Sequence, residues 1–247
     1  MKKIFLLLNG LVSLTAFAQT PAPNFKLQVV DNQISIGYGL AIGDVDGDKR
    51  PDLLLADQKD IVWYRNGDWK RFVMASGLTP KDNVCIAARD IDGDGRVEVA
   101  VGAMWNPAET KDITQSGAVF YLIRPQDPTQ RWESVQLHHE ITTHRMRWAK
   151  VGNNKYQLLV VPLHGLGNAN GEGKGVKILA YDVPKNPKQP WPYQLVDSTL
   201  HITHNFEIWE DTDATKVLIG SKEGGKVVDY QKNQLQPTGQ LIGEGLG

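Results

Sequence analysis

Two stretches of this 247-residue chain repeat one pattern: LAIGDVDGDKRPDLLLAD (Leu40 to Asp57) and IAARDIDGDGRVEVAVGA (Ile86 to Ala103). Asp44 and Asp90, which head the two acidic runs, lie 46 residues apart. A period of that size marks an array of units, none of which can bury its apolar face alone. Each copy is a short apolar run, an acidic loop and a second apolar run, which predicts two strands joined by a loop. Two more strand-like runs follow each copy. After the first come IVWY (Ile61 to Tyr64) and WKRFVM (Trp69 to Met74); after the second come AVFYLI (Ala118 to Ile123) and WESVQL (Trp132 to Leu137). Four strands per repeat is the blade of a β-propeller.

Two weaker copies keep the strands and lose the acidic loop. MRWAKVG, YQLLVVPL (Tyr156 to Leu163), VKILAYD (Val176 to Asp182) and YQLV (Tyr193 to Val196) make a third. NFEIWE (Asn205 to Glu210), KVLIGS (Lys216 to Ser221), KVVDY (Lys226 to Tyr230) and a short run at Leu235 make a fourth. The expectation is an all-β chain with about four blades between Asn24 and Thr238. The final LIGEGLG resembles the lead-in to another blade. Propeller rings usually hold 4–8 blades. Either this is a four-bladed ring, or the ring is incomplete at the C-terminus, and the second is the favoured expectation.

Residues 1–18 are set apart as an export signal. Lys2-Lys3 precede an apolar run, Ile4 to Phe17, and Ala16-Phe17-Ala18 fits a small-x-small cleavage pattern. Removal would leave a propeller domain over residues 19–247 that is secreted or periplasmic, with no membrane span. The net charge of −1 and the lack of a basic cluster exclude nucleic acid as a partner. Cys85 is the only cysteine, so no disulfide forms within the chain. Its apolar setting predicts a small buried side chain.

In the first loop Asp44, Asp46, Asp48 and Asp52 take positions 1, 3, 5 and 9; in the second Asp90, Asp92, Asp94 and Glu98 take the same places. Calcium takes six to eight oxygen ligands at about 2.3–2.6 Å, and alternate residues of a tight turn can aim carboxylates inward. The carbonyls of Arg50 and Arg96, at position 7, would add a backbone ligand. The competing account is a solvated acidic turn. Without a cation the clustered carboxylates repel, so calcium should stiffen both hairpins.

DVDGDKRPDLLLA and DIDGDGRVEVAVG resemble the signature of the FG-GAP or VCBS repeat family, the second with Glu98 where Asp is usual. The resemblance implies a calcium-stabilised β-propeller, usually seven-bladed, in secreted or surface proteins. It is carried by the first two blades; the last two share only the strand pattern. The family spans adhesion heads, lectin-like modules and polysaccharide lyases, so it implies fold more firmly than activity.

The six histidines are His138, His139, His144, His164, His201 and His204. In a four-stranded meander the a–b and c–d connections lie at one end, and the b–c and d–a connections at the other. The acidic loops are a–b connections. All six histidines map to d–a or b–c connections, at the opposite end. The two longest insertions, Trp105 to Gly117 and His164 to Gly175, join them there. Long loops of this kind commonly line clefts. HHEITTHRMRW, VVPLHG and LHITHNF resemble, more distantly, the propeller part of sugar-processing lyases and dehydratases.

Three functions follow as expectations. The first is an enzyme that acts on a polysaccharide or oligosaccharide by elimination. Proton abstraction beside a carboxyl group needs a base such as histidine, and the enolate needs positive charge. His144 and His164 are assigned acid/base work, Arg145 the carboxylate, and His204 with Asn205 positioning; Trp105, Trp148 and His201 are candidate substrate contacts. The second is a non-catalytic module that binds glycan or a protein partner on this face. The third is a transition-metal site built from three histidines, which no HxH or HExxH spacing supports. A serine hydrolase is disfavoured, since GxSxG is missing.

Overall fold

The computed structural model describes residues 23–211, 215–231 and 234–243; the expected export signal, residues 1–18, lies outside them. The chain divides into two units, Met1–Asn32 and Gln33–Gly247. In the first, the described residues 23–32 form no strand. Among the described residues every strand lies in the second unit, and there is no helix.

Four antiparallel sheets follow one another along the second unit, each a simple four-stranded meander. The first is β1 (Gly39–Gly43), β2 (Asp52–Ala56), β3 (Asp60–Tyr64) and β4 (Arg71–Ser76). The second is β5 (Cys85–Arg89), β6 (Glu98–Ala103), β7 (Ala118–Ile123) and β8 (Glu133–Leu137). The third is β9 (Thr143–Gly152), β10 (Lys155–Pro162), β11 (Ile178–Asp182) and β12 (Tyr193–Asp197). The fourth is β13 (Thr203–Glu210), β14 (Thr215–Ser221), β15 (Gly224–Gln231) and β16 (Gln234–Ile242). This is the four-by-four pattern expected from the repeats, and the arrangement is propeller-like.

One expectation is corrected at the C-terminal end. Leu241 and Ile242 are not the lead-in to a further sheet: they pair with Lys226 and Gly225 as the end of β16. The register passes from Val228↔Pro237 to Lys226↔Leu241, so three residues oppose Val227 alone. The run at Leu235 is the expected strand; the bulge just after Pro237 hides its continuation to Ile242, because a proline and a broken alternation both argue against one.

Neighbouring sheets pack face to face. Leu54, Ile61 and Trp63 of the first sheet meet Ile86, Val99 and Val101 of the second. Ala87, Val119 and Tyr121 of the second meet Trp148, Leu158 and Trp191. Val151, Leu159 and Ile178 of the third meet Phe206, Val217 and Ile219 of the fourth. A middle sheet therefore buries both faces. This is why β6 is apolar almost without interruption and buried at every position. Cys85 is buried, as expected, and burial pushes its thiol up to about 12.

Polar ties cross the sheets as well. Arg89 in β5 donates to both carboxylate oxygens of Glu210 in β13, each at 2.7 Å, and Glu210 also accepts the Lys150 N–H at 2.9 Å. One carboxylate thus joins the first strands of three sheets. The β7–β8 and β11–β12 connections share a turn: Trp132 donates to the Pro128 carbonyl and Trp191 to the Pro187 carbonyl.

Candidate functional site

The acidic loops follow β1 and β5 and fold alike. The Asp44 carboxylate accepts the N–H groups of Gly47 and Lys49, both at 2.7 Å; Asp90 accepts those of Gly93 at 2.7 Å and Gly95 at 2.9 Å. Lys49 and Gly95 occupy the same left-handed position, with φ of 67° and 86°. Glycine holds it without strain in the second loop, whereas lysine is forced into it in the first. Oxygens of Asp44, Asp46 and Asp48 lie within 4.8 Å of one another, as do those of Asp90, Asp92 and Asp94. An all-oxygen, convergent donor set fits a hard cation such as calcium.

Position 9 is placed differently from positions 1, 3 and 5. Asp52 is buried beneath its loop, where it accepts the N–H groups of Val45 (2.9 Å) and Asn66 (2.8 Å). Glu98 is buried too and accepts the Ile91 N–H at 3.0 Å, with Arg124 at 3.4 Å. Neither is among the three converging carboxylates of its loop. Burial pushes Glu98 up to about 7, and the charges of Asp92 and Asp94 add to it, against the opposing Ile91 N–H and Arg124. Burial likewise raises Asp52. At position 7 the guanidinium groups of Arg50 and Arg96 turn back onto Asp48 and Asp94.

At the other end of the sheets the histidines are set by two bulges. In β9 the pairing steps from Pro162↔Thr143 to Val161↔Arg145, leaving His144 as the extra residue. In β13 it steps from Ser221↔Thr203 to Gly220↔Asn205, leaving His204 extra. The sequence predicts both in connections; both instead sit one residue inside a strand. A bulge re-aims its side chain and is frequent beside functional sites.

The two rings meet edge to face, centroids 4.9 Å apart, and His144 also stacks on Trp105 at 4.8 Å and 17°. Trp105 stands at the head of the β6–β7 connection, after Met104 in a left-handed conformation (φ 57°). His204 is exposed, Trp105 half-buried, and His144 only 4% exposed. Burial first, then the charge of Arg145 and the neighbouring His204, push His144 down to about 3. His164 is half-buried and lowered by burial. Both rings are therefore neutral at ordinary pH, and in each the buried Nδ1 has no hydrogen-bond partner.

His164 continues from β10, bridges to Ile202 and borders a small pocket of about 50 Å³ with Glu140, Lys174 and Lys177. The long insertions touch where the Gly167 N–H meets the Thr110 carbonyl at 2.6 Å. His144, His164, His204, Arg145 and Trp105 are thus gathered at one end of the second to fourth sheets.

The remaining candidates are placed elsewhere. Trp148 is corrected: it is a core residue, 4% exposed, whose indole donates to the Glu98 carbonyl at 3.2 Å. Strand alternation in β9 puts Met146 and Trp148 against the second sheet, while Arg147 turns to Glu207 in β13. His201 is braced by Glu223, Nδ1 to Oε1 at 2.6 Å. Asn205 is exposed, and its Oδ1 accepts the Phe206 N–H. His138 stacks on Tyr193 at 4.4 Å. Among the described residues no three histidine donors lie within 4.8 Å of one another.

Three residues that shape this end do not stand out in the sequence: Met104, Thr142 and Thr143. The repeated Thr-His pair, Thr143-His144 and Thr203-His204, is a signal for Thr143 alone.

In comparison with family models, residues 44–101 match the FG-GAP-like repeat. The match runs from the first acidic loop into β6, the strand after the second. No curated protein matches the chain.

Proposed function

We propose that this chain is a calcium-stabilised β-propeller of the FG-GAP/VCBS kind, exported from the cytoplasm, whose histidine-bearing end acts on a uronate-containing carbohydrate by elimination. The observation that carries the site is the pair of neutral imidazoles, His144 and His164, each with a buried and unpartnered Nδ1, beside Arg145 and Trp105. A buried polar atom without a partner is costly and uncommon, and where one persists it commonly serves a water, an ion or a reacting group.

In this reading each sheet is a blade. The exposed Leu40 (65%) and Ile42 (61%) on the first sheet and Trp209 (54%) on the fourth support further neighbours at both ends, as in a larger, seven-bladed ring. The acidic loops hold calcium through Asp44, Asp46 and Asp48, and through Asp90, Asp92 and Asp94. The ion's contribution is to stiffen the strand connections. The Lys2-Lys3 and Ala16-Phe17-Ala18 pattern supports export.

At the histidine end, Arg145 would pair with the substrate carboxylate and stabilise the enolate formed there. His164, half-buried and neutral, would take the proton from the carbon beside the carboxylate. The electron pair forms the new double bond as the bond to the leaving oxygen breaks. A second group, His144 or His204, returns a proton to that oxygen. Pairing the carboxylate with Arg145 also offsets one of the charges that depress His144, which makes it easier to protonate in the complex. His204 and Asn205 position the sugar, and Trp105 supports it.

A second reading is a glycan- or protein-binding module. It is favoured by the low basicity of His144, which suits a neutral packing partner of Trp105 better than a proton carrier. One assay separates the two. Calcium-loaded protein is incubated with uronate polysaccharides, and both the ultraviolet absorbance of an unsaturated product and the heat of binding are followed. Absorbance that grows, and is lost in His164→Ala, supports elimination. Binding without absorbance supports the module. Neither signal across a broad set of uronates would overturn the carbohydrate reading.

A further inference from the structure

Thr142 is wholly buried and left-handed, with φ of 52°. For a β-branched residue this is a steric outlier, which persists only where the surroundings enforce it. What enforces it is His164. The Thr142 hydroxyl accepts the His164 N–H at 2.8 Å and donates to the His164 carbonyl at 3.1 Å. The Thr142 carbonyl accepts the Leu163 N–H at 2.9 Å. One residue thus clasps the chain on which His164 rides, two positions before the bulge that aims His144.

The fourth sheet makes the same entry without the clasp. Thr203 matches Thr143, so Ile202 matches Thr142, and its carbonyl accepts the Lys222 N–H at 2.9 Å in the same way. Ile202 has no hydroxyl, and it is not among the left-handed residues. The turn therefore does not require the strained conformation. The strain occurs only where the following histidine lies beneath Trp105 with a second histidine beside it. The turn is gripped from the second sheet as well: a Cβ on Gly117 would come within 2.5 Å of the Glu140 carbonyl and 3.1 Å of the Thr142 nitrogen.

We infer that Thr142 is a positioning residue that fixes His144 and His164 relative to each other through its hydroxyl. This rests on the reading that those two histidines form one site. It acts through the backbone, so the two rings respond together when the clasp is lost.

The test uses ¹⁵N-labelled, calcium-loaded protein and long-range ¹H–¹⁵N spectra of the imidazole rings, assigned with His144→Gln and His164→Gln. Thr142→Val keeps the shape and removes the hydroxyl; Thr142→Ser keeps the hydroxyl. The expected result is that Val moves the ring signals of both His144 and His164 while amides in β2 and β6 stay put, and that Ser restores both. Rings unmoved in Val, or Ser behaving like Val, would overturn the inference. Should Val not fold, amide exchange in the wild type decides. The clasp predicts that the His164 amide exchanges at least about tenfold more slowly than that of Leu166 in the same connection; equal rates would contradict it. No substrate enters these measurements, so their outcome is separate from that of the carbohydrate assay.

Discussion

His144 and His204 are equivalent residues of successive sheets. Each is the extra residue of a bulge in the first strand, each follows a threonine, and they lie 60 residues apart in the chain with ring centroids 4.9 Å apart. A strand without a bulge would send successive side chains to opposite faces. The bulge frees one side chain from that alternation, and using it twice brings two histidines together from different sheets.

Histidine burial makes stability depend on pH. His144 is pushed down to about 3 from an ordinary value of 6.5, and His139 and His164 are lowered in the same direction, each chiefly by burial. Between the folded and unfolded values the unfolded chain binds more protons. Their stabilisation is therefore complete above about pH 6.5 and is lost as pH falls through that window, by up to about 1.4 kcal/mol per pH unit per group. Urea unfolding from pH 7.5 to 5 should show the decline. His144→Phe should flatten it, and the His144 ring should show no titration above pH 5 by NMR.

Glu98 has the opposite sign. Raised to about 7 by burial and by Asp92 and Asp94, it holds a proton in the folded, metal-free chain where the unfolded chain has lost it. Its contribution to metal-free stability is present below about pH 4.5 and lost as pH rises through about 7. Calcium bound in the second loop, as proposed, would supply a counter-charge to these carboxylates. In chelator at pH 8, Glu98→Gln should therefore raise the melting temperature. In calcium the wild type should regain the advantage. Asp44→Asn and Asp90→Asn should each weaken calcium binding by calorimetry, about tenfold or more, by removing one carboxylate ligand.

Asp57 anchors the strand entry before β1. It accepts the N–H groups of Ser35 (3.0 Å), Ile36 (2.7 Å) and Gly37 (3.1 Å) and is mostly buried. Burial alone would raise its carboxyl, but these N–H groups hold it below the usual range. Asp57→Ala leaves three donors without a partner and should cost about 2–3 kcal/mol in urea unfolding. The same variant should become susceptible to proteolysis near Ser35.

Glu210 ties three sheets through Arg89 and the Lys150 amide. The pair is partly exposed, so its Coulombic worth is modest. Glu210→Gln retains an acceptor and should cost about 1 kcal/mol or less, whereas Glu210→Ala should cost about 1–2 kcal/mol. Arg89→Ala combined with Glu210→Ala should cost less than the two singles added, because both remove the same contact.

The four-sheet pattern was legible because burial on one or both faces leaves dense apolar runs, and because the acidic loops mark where two hairpins turn. The gathering of His144, His164 and His204 at one end was legible from meander topology alone. Their orientation was not. A bulge is defined against the partner strand, so Thr143-His144 carries no sign of it without the register of Pro162 and Val161. Trp148 shows the same limit, since one step along a strand separates a core indole from a surface one. Thr142 was out of reach because left-handed threonine contradicts local preference, and only the His164 backbone makes it tolerable. The last strand was legible at Leu235, but its continuation to Ile242 was hidden by Pro237 and the bulge that follows.

In the proposed function, ligand engages the histidine end while the acidic loops serve the fold. The decisive experiment titrates calcium-loaded, ¹⁵N-labelled protein with a uronate oligosaccharide and follows side-chain and amide signals together. Saturable shifts are expected at the rings of His144, His164 and His204 and at the Trp105 indole, with the Gly47, Gly93 and Gly95 amides unmoved. Shifts confined to the acidic loops, or none at the histidine end at any uronate concentration, would contradict it.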